Sequence, residues 1–309
     1  MLNSDEIKRL SIKLPRIELR HPVMNASGIL GYTYEHLLRM REWGLAAIVT
    51  KTFTAKGREG YETPIIIELP SGGYLNAVGL ANPGKDALYD LIPQAKELGL
   101  PIIVSVGGSS EKEFVDVAVA AEESGADAIE LNLSCPHTKG YGIDIGSDPG
   151  NVKSVVREVV GAVKIPVYAK LGLSDKLINS CEAALSEGAS CLTLINTIKA
   201  TYIDVYTLKP VLTNIVGGLS GSPLHPIAIR VVYEVYKEFE ACIIGVGGVY
   251  DWRSAAEFIA AGARAVQVGT LLALKGRELV EEILRGLLKW LDIHQAKRLS
   301  DLVGAAVKQ

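Results

Sequence analysis

The sequence predicts an α/β protein folded as a (β/α)8 TIM barrel with two long excursions, and three observations carry that prediction. Eight short apolar runs recur along the chain, each continuous rather than alternating, as parallel strands buried on both faces require. Helix-like segments with one apolar stripe separate them. Several of these segments end in a Gly-Ala pair (Gly125-Ala126, Gly188-Ala189, Gly262-Ala263), a repeated glycine helix stop. Eight strand–helix alternations in about 300 residues fit a barrel. An open doubly wound sheet is disfavoured, because no early Gly-x-Gly-x-x-Gly is followed about 20 positions on by an acidic residue.

In order, the predicted strands cover 23–26, 46–50, 102–106, 128–133, 167–171, 191–196, 242–246 and 265–268. Helical periodicity covers 111–124, 151–163, 176–186, 226–239 and 254–261. In 111–124, Phe114, Val115, Ala118 and Ala121 make the apolar stripe. Two connections are too long for simple turns. The first, 53–82, contains Pro64-Ile65-Ile66-Ile67-Glu68 and Tyr74-Leu75-Asn76 around Pro70-Ser71-Gly72-Gly73, and reads as a β-hairpin. The second is 197–223. Both follow strands, so both belong at the C-terminal face, where barrels build their sites and where long loops can act as lids. No composition break marks a boundary, so a single domain over 1–309 is expected.

Composition excludes several classes. Of 309 residues, 48% are hydrophobic and 22% charged, with net charge −3, which gives no electrostatic reason to bind nucleic acid or an anionic membrane. The early charges Asp5, Glu6, Lys8 and Arg9 leave no apolar core for a signal peptide. No apolar run approaches a membrane span. Cys135, Cys181, Cys191 and Cys242 form no C-x-x-C pair. No metal site or iron–sulfur cluster held by this chain alone is therefore expected, nor a disulfide framework. That cysteine usage points to a reducing cytoplasm.

The polar residues fall at the predicted strand ends. Strand one ends in Asn25-Ala26-Ser27-Gly28 and strand two in Lys51-Thr52. The fourth runs Ile129-Glu130-Leu131-Asn132-Leu133-Ser134-Cys135-Pro136-His137, turning polar as it leaves the core. Taken alone, Cys135 would read as a small buried hydrophobe. Lys170 lies near the end of the fifth strand, Ile195-Asn196-Thr197 at the end of the sixth, and Asn76 in the hairpin. Asn76 alone reads as a turn residue. Unpaired lysines at apolar strand ends would be costly, so Lys51 and Lys170 call for an anionic partner. Gly245-Val246-Gly247-Gly248 and Gly269-Thr270 end strands seven and eight, where barrels seat a phosphate. Amide, ammonium and glycine with few carboxylates suit an anionic ligand rich in carbonyl and ring N–H groups better than a metal.

Together, Pro22–Gly28, Lys51-Thr52-Phe53-Thr54, Leu75–Gly84, Asn132-Leu133-Ser134-Cys135-Pro136, Ile195-Asn196-Thr197, Gly217–Gly221 and Gly245–Gly248 identify a resemblance. In order and spacing, the chain resembles the dihydroorotate dehydrogenases over nearly its whole length, and within them the soluble cysteine-containing class. The resemblance implies FMN as cofactor and (S)-dihydroorotate as substrate. It implies Cys135 as catalytic base, with Lys51, Asn76, Asn132, His137, Asn196 and Thr197 holding substrate. Flavin contacts would come from Ala26, Ser27, Lys51, Thr52, Asn132, Lys170, Ile195, Gly221, Gly247, Gly248, Gly269 and Thr270. A thiolate suits the base, because thiol pKa lies near working pH. The resemblance also implies a homodimer core that either reduces fumarate or passes electrons to NAD through a second subunit carrying FAD and an iron–sulfur cluster. The overall likeness favours the NAD-linked form.

The chain departs from the family pattern in three places. His137 replaces the usual Asn after Cys-Pro, the hairpin run Gly60-Tyr61-Glu62-Thr63-Pro64-Ile65 lacks the family's arginine, and Ser105 stands where an Asn commonly contacts the flavin. These departures keep open a flavin barrel acting on a related dihydropyrimidine. Two further rivals are a non-redox phosphate-binding barrel isomerase or aldolase using Lys51 or Lys170, and a catalytically silent subunit.

Overall fold

The computed structural model describes residues 3–134 and 143–308. Eight parallel strands form its centre: β1 (Val23–Asn25), β2 (Ile48–Val49), β3 (Ile102–Val106), β4 (Ala128–Leu133), β5 (Val167–Leu171), β6 (Cys191–Leu194), β7 (Ile243–Val246) and β8 (Ala263–Val268). Their hydrogen-bonded order is β1-β8-β7-β6-β5-β4-β3-β2. The seam between β1 and β2 is held by a side chain. Asn25 Nδ2 donates to the Val49 carbonyl at 2.6 Å, and its Oδ1 accepts from Val49 N at 2.9 Å, supplying what a ladder would. This is the (β/α)8 barrel the alternation predicts.

Strand residues are buried on both faces along β3 to β7, which is why they read as continuous apolar runs. Helices Glu111–Glu123, Pro149–Ala162, Leu177–Ser186, His225–Phe239 and Trp252–Ala261 match the predicted periodic segments to within a few residues. The three glycine stops have positive φ, 96° at Gly125, 94° at Gly188 and 122° at Gly262. At Gly262 a Cβ would lie 2.1 Å from the Tyr236 ring, so packing as well as conformation excludes a side chain there.

The two long connections meet. Strands Ile66–Glu68 and Tyr74–Asn76 form the predicted hairpin, and Ile198–Ala200 and Gly217–Ser220 come from the connection after β6. All four join in one antiparallel sheet, with Gly218 paired to Asn76 and Leu219 to Leu75. A small cluster of Leu75, Ala77 and Leu212 lies under it.

Two features at the opposite end differ from the sequence expectation or go beyond it. A hairpin, Ile12–Leu14 with Ile17–Leu19, buries Ile12, Leu14, Ile17 and Leu19. It is bonded to segments that lead into strands: Arg16 donates to the Lys164 carbonyl and Arg264 to that of Lys13. It therefore lies at the N-terminal end of the barrel. The expectation of no disulfide is corrected: Cys191 and Cys242 are bonded. Cys191 opens β6, Cys242 immediately precedes β7, and Leu192 pairs with Ile243, so the register sets the two thiols side by side. With that bridge present, cysteine usage no longer argues for a reducing compartment. Cys181 is free and buried, and burial pushes its thiol pKa up to about 12. Among the described residues, no helix is long and apolar enough to cross a membrane, and no group of three His, Cys, Asp or Glu could hold a metal.

Candidate active site

A cavity of about 420 Å3 opens at the C-terminal ends of the strands, beneath the four-stranded sheet. Each strand end delivers what the sequence placed there. Ala26 and Ser27 follow β1, Lys51 and Thr52 follow β2, Asn132 lies on β4, and Lys170 on β5. Ile195, Asn196 and Thr197 follow β6, Gly247 and Gly248 follow β7, and Gly269 and Thr270 follow β8. Asn76 and Gly221 reach the same cavity from the overlying sheet. Cys135 and His137 lie outside the described residues.

The amides are held in one hydrogen-bonded chain. Asn196 Nδ2 donates to Ser134 Oγ at 2.9 Å, and Ser134 Oγ donates to Asn132 Oδ1 at 3.0 Å. Asn132 Nδ2 then donates to Thr52 Oγ1 at 2.9 Å, and Thr52 shares bonds with Ser105 at 3.0 Å and Ser27 at 3.3 Å. Asn196 Oδ1 accepts from Thr197 N at 2.8 Å, and Asn76 Nδ2 donates to the Gly218 carbonyl at 3.1 Å. Each partner fixes which way an amide faces. Asn132 keeps one N–H for a ligand, its Oδ1 already accepting from both Ser134 Oγ and Ser134 N. Ser134, fully buried, therefore orients two candidate substrate residues at once. It was visible in the motif as a polar residue at a strand end, but nothing in the sequence showed which residues it would bond. Ser105 lies in this chain beneath Thr52 and is buried.

The two lysines differ. Lys51 is half-buried, and burial holds its pKa below the ordinary lysine range. Its Nζ lies 5.3 Å from the Tyr32 ring centroid, a cation–π contact, and no carboxylate among the described residues pairs with it. A carboxylate ligand would supply the missing partner. Tyr32 has no motif around it and was not anticipated. Lys170 is already paired: its Nζ lies 3.3 Å from Glu130 Oε1 and 2.9 Å from Gln267 Oε1.

The cavity fits a flavin nucleotide. At Gly28 an added Cβ would meet nothing within 4 Å, and at Gly269 nothing nearer than Ala26 Cβ at 3.5 Å, so both leave room beside the cavity for a flat group. The glycine turns after β7 and in the overlying sheet are in contact: a Cβ on Gly248, whose φ is 75°, would fall 2.6 Å from the Gly221 carbonyl oxygen and 2.8 Å from His225 N. Backbone this crowded by backbone is suited to wrapping a phosphate closely. Thr270 Oγ1 donates to Ser220 Oγ at 2.9 Å beside it.

The family profile described as dihydroorotate dehydrogenase matches residues 9–291. A protein of Aeropyrum pernix, provisionally named dihydroorotate dehydrogenase A (fumarate), is 46% identical over 96% of this chain and 97% of its own length. One of Thermoplasma volcanium, named dihydroorotate dehydrogenase B (NAD(+)), catalytic subunit, is 46% identical over 97% of this chain and 99% of its own. A Pyrococcus horikoshii protein of the same name is 42% identical over 98% and 99%. With the barrel, the polar strand ends and the flavin-sized cavity in place, the chain belongs to the dihydroorotate dehydrogenase family of FMN-dependent oxidoreductases.

Proposed function

We propose that this protein oxidises (S)-dihydroorotate to orotate in pyrimidine biosynthesis, with FMN as the immediate acceptor and the whole chain, 1–309, acting as one domain. The observation that carries the reading is the convergence of two lysines and three asparagines (Asn76, Asn132 and Asn196) on one cavity at the C-terminal face. The amides suit the dione edge of the pyrimidine ring, which offers alternating donors and acceptors. Lys51, lacking a carboxylate partner among the described residues, is assigned to the substrate carboxylate. His137, in place of an amide, would add a hydrogen bond whose charge depends on pH.

FMN, when bound, supplies a two-electron hydride acceptor. Ala26, Ser27, Thr52, Ile195 and Lys170 would flank its ring, while Gly221, Gly247, Gly248, Gly269 and Thr270 would hold its phosphate end. Cys135 Sγ takes the proton from C5 as the C6 hydrogen leaves with its electron pair, and C5–C6 becomes a double bond. The amides hold the ring so that both hydrogens face their acceptors, a positioning role. Lys170 stabilises negative charge gained by the cofactor.

Electrons then pass to NAD through a second subunit, a route supported by the relatives named dihydroorotate dehydrogenase B (NAD(+)), catalytic subunit. The four cysteines here, two of them bonded to each other, make no cluster set, so that route calls on a partner carrying one. The core is read as a homodimer; Val205, Tyr206, Leu208 and Ile215, all more than half exposed on the connection after β6, are apolar side chains that a second copy would cover. The reading keeps the protein in the cytoplasm. Anaerobic titration of the FMN-loaded chain with dihydroorotate tests the activity directly. Loss of flavin absorbance is expected; a yellow protein that stays oxidised with dihydroorotate moves the substrate elsewhere.

A further inference from the structure

The interior of the barrel holds a buried polar layer of which the proposed reaction gives a task to Lys170 alone. Glu130 on β4 and Thr193 on β6 are 0% exposed, and Lys170 on β5 and Gln267 on β8 are almost as inaccessible. Three donors converge on the one carboxylate. Lys170 Nζ reaches Oε1 at 3.3 Å, Thr193 Oγ1 donates to Oε2 at 3.2 Å, and Gln267 Nε2 also donates to Oε2. Gln267 returns its carbonyl oxygen to Lys170 at 2.9 Å. Both charges thus have hydrogen-bonding partners, the condition under which a buried ion pair is tolerated.

A buried pair of this kind is weak support for stability, because well-packed apolar residues often do as well. Its placement suggests another use. Lys170 is the one member of the layer that also lines the cavity. Asn132, which lines it too, follows Glu130 by two residues on the same face of β4. The ammonium is tied from below by two oxygens and is presented to the cavity above.

We propose that Glu130 is a positioning residue for Lys170: it fixes the ammonium at the cavity floor and offsets part of its charge, thereby setting how strongly the site favours an extra negative charge on the bound cofactor. The inference rests on the flavin reading of the cavity. In a buried site, a full charge this close to the ammonium is little screened by salt, so the carboxylate holds the cofactor's reduction potential below the value that Lys170 alone would give. Thr193 and Gln267, by donating to the same carboxylate, reduce that opposing field.

The test is the reduction potential of bound FMN, measured by dye equilibration in the FMN-loaded protein, with melting temperature followed in parallel. Glu130→Gln removes the charge and keeps the shape. At a fixed poise its ratio of reduced to oxidised FMN should rise at least tenfold, an upward shift of about 30 mV for a two-electron couple. Thr193→Val is nearly isosteric and removes one donor to the carboxylate, so it should move the potential the other way by a smaller amount. It also keeps the question answerable if Glu130→Gln does not fold. A melting temperature that falls while the potential of each folded variant stays at the wild-type value overturns the proposal and leaves the layer a purely structural feature. Failure of the wild-type chain to take up FMN would overturn the flavin reading instead, and is seen before any variant is made.

Discussion

The two ends of the barrel are built from the same eight strands and have opposite contents. At the N-terminal end a hairpin packs four apolar side chains against the barrel, a disulfide ties the starts of β6 and β7, and His21 lies buried just ahead of β1. At the C-terminal end stand amides, two lysines and glycine turns around a cavity. The difference teaches that a parallel barrel separates stability from chemistry along the strand axis. Each strand contributes to the first at its start and to the second at its end. Substitutions at one end should therefore move kinetics with little change in melting temperature, and those at the other the reverse.

The largest break is expected at the site end. Cys135→Ala removes the assigned base and should lower kcat at neutral pH by about 10²–10⁴-fold, the usual contribution of a general base, with the melting temperature within a degree or two of wild type; steady-state turnover at neutral pH with parallel calorimetry checks it. The next concerns the other end. Reducing the Cys191–Cys242 bridge, or replacing both cysteines by alanine, reopens a loop with a sequence separation of 51. By chain-entropy reasoning it should cost about 4 kcal/mol of stability, read by denaturant unfolding, while kcat/KM stays unchanged.

A smaller effect sharpens the site end. Ser134→Ala takes the hydroxyl bond from Asn132 Oδ1, which keeps only the backbone N–H of residue 134, and leaves Asn196 Nδ2 without its acceptor, so the KM for dihydroorotate should rise roughly tenfold, the worth of one hydrogen bond, with kcat less affected. A fall in kcat with KM unchanged would mean that Ser134 acts in the transition state instead. The last is read in pH dependence and concerns His21. Burial, with Arg20 nearby, lowers its pKa from 6.5 to about 3 despite the opposing bond to the Gly44 carbonyl. The folded protein thus keeps it neutral where the unfolded chain would protonate it. Its contribution is present above pH 6.5 and is lost as pH falls towards 3, at no more than about 1.4 kcal/mol per pH unit. Unfolding curves between pH 7 and 4 should show that slope, and His21→Leu should flatten it.

Much of this separation was legible in the sequence, because buried parallel strands announce themselves as continuous apolar runs and their polar ends stand out against them. The strands 102–106, 128–133 and 167–171 need no revision. β2 is shorter than 46–50, and at its seam with β1 the Asn25 side chain adds to the backbone bond from Ala46 N to the Val23 carbonyl, a use of side chain beside backbone that periodicity cannot show. The disulfide and the joining of the two excursions escaped for one reason: both depend on which strands are neighbours. Cys191 and Cys242 are brought together only by the β6–β7 register, and Asn76 meets Gly218 across a separation of 142 residues. The N-terminal hairpin has strands of only three residues, too short for a period to register. At the site, residue types and their strand ends could be read in advance. The bond of Ser134 to Asn196 and the contact of Tyr32 with Lys51 could not, since each joins residues that follow different strands.

The shared sheet over the cavity bears on how the enzyme can be re-engineered. Because Tyr74–Asn76 pairs residue for residue with Gly218–Ser220, the two excursions are not independent modules. A graft that lengthens one by a single residue would turn every side chain of its strand to the opposite face and carry Asn76 away from the pocket. Altering the substrate range by loop exchange therefore requires transplanting both excursions as one matched pair.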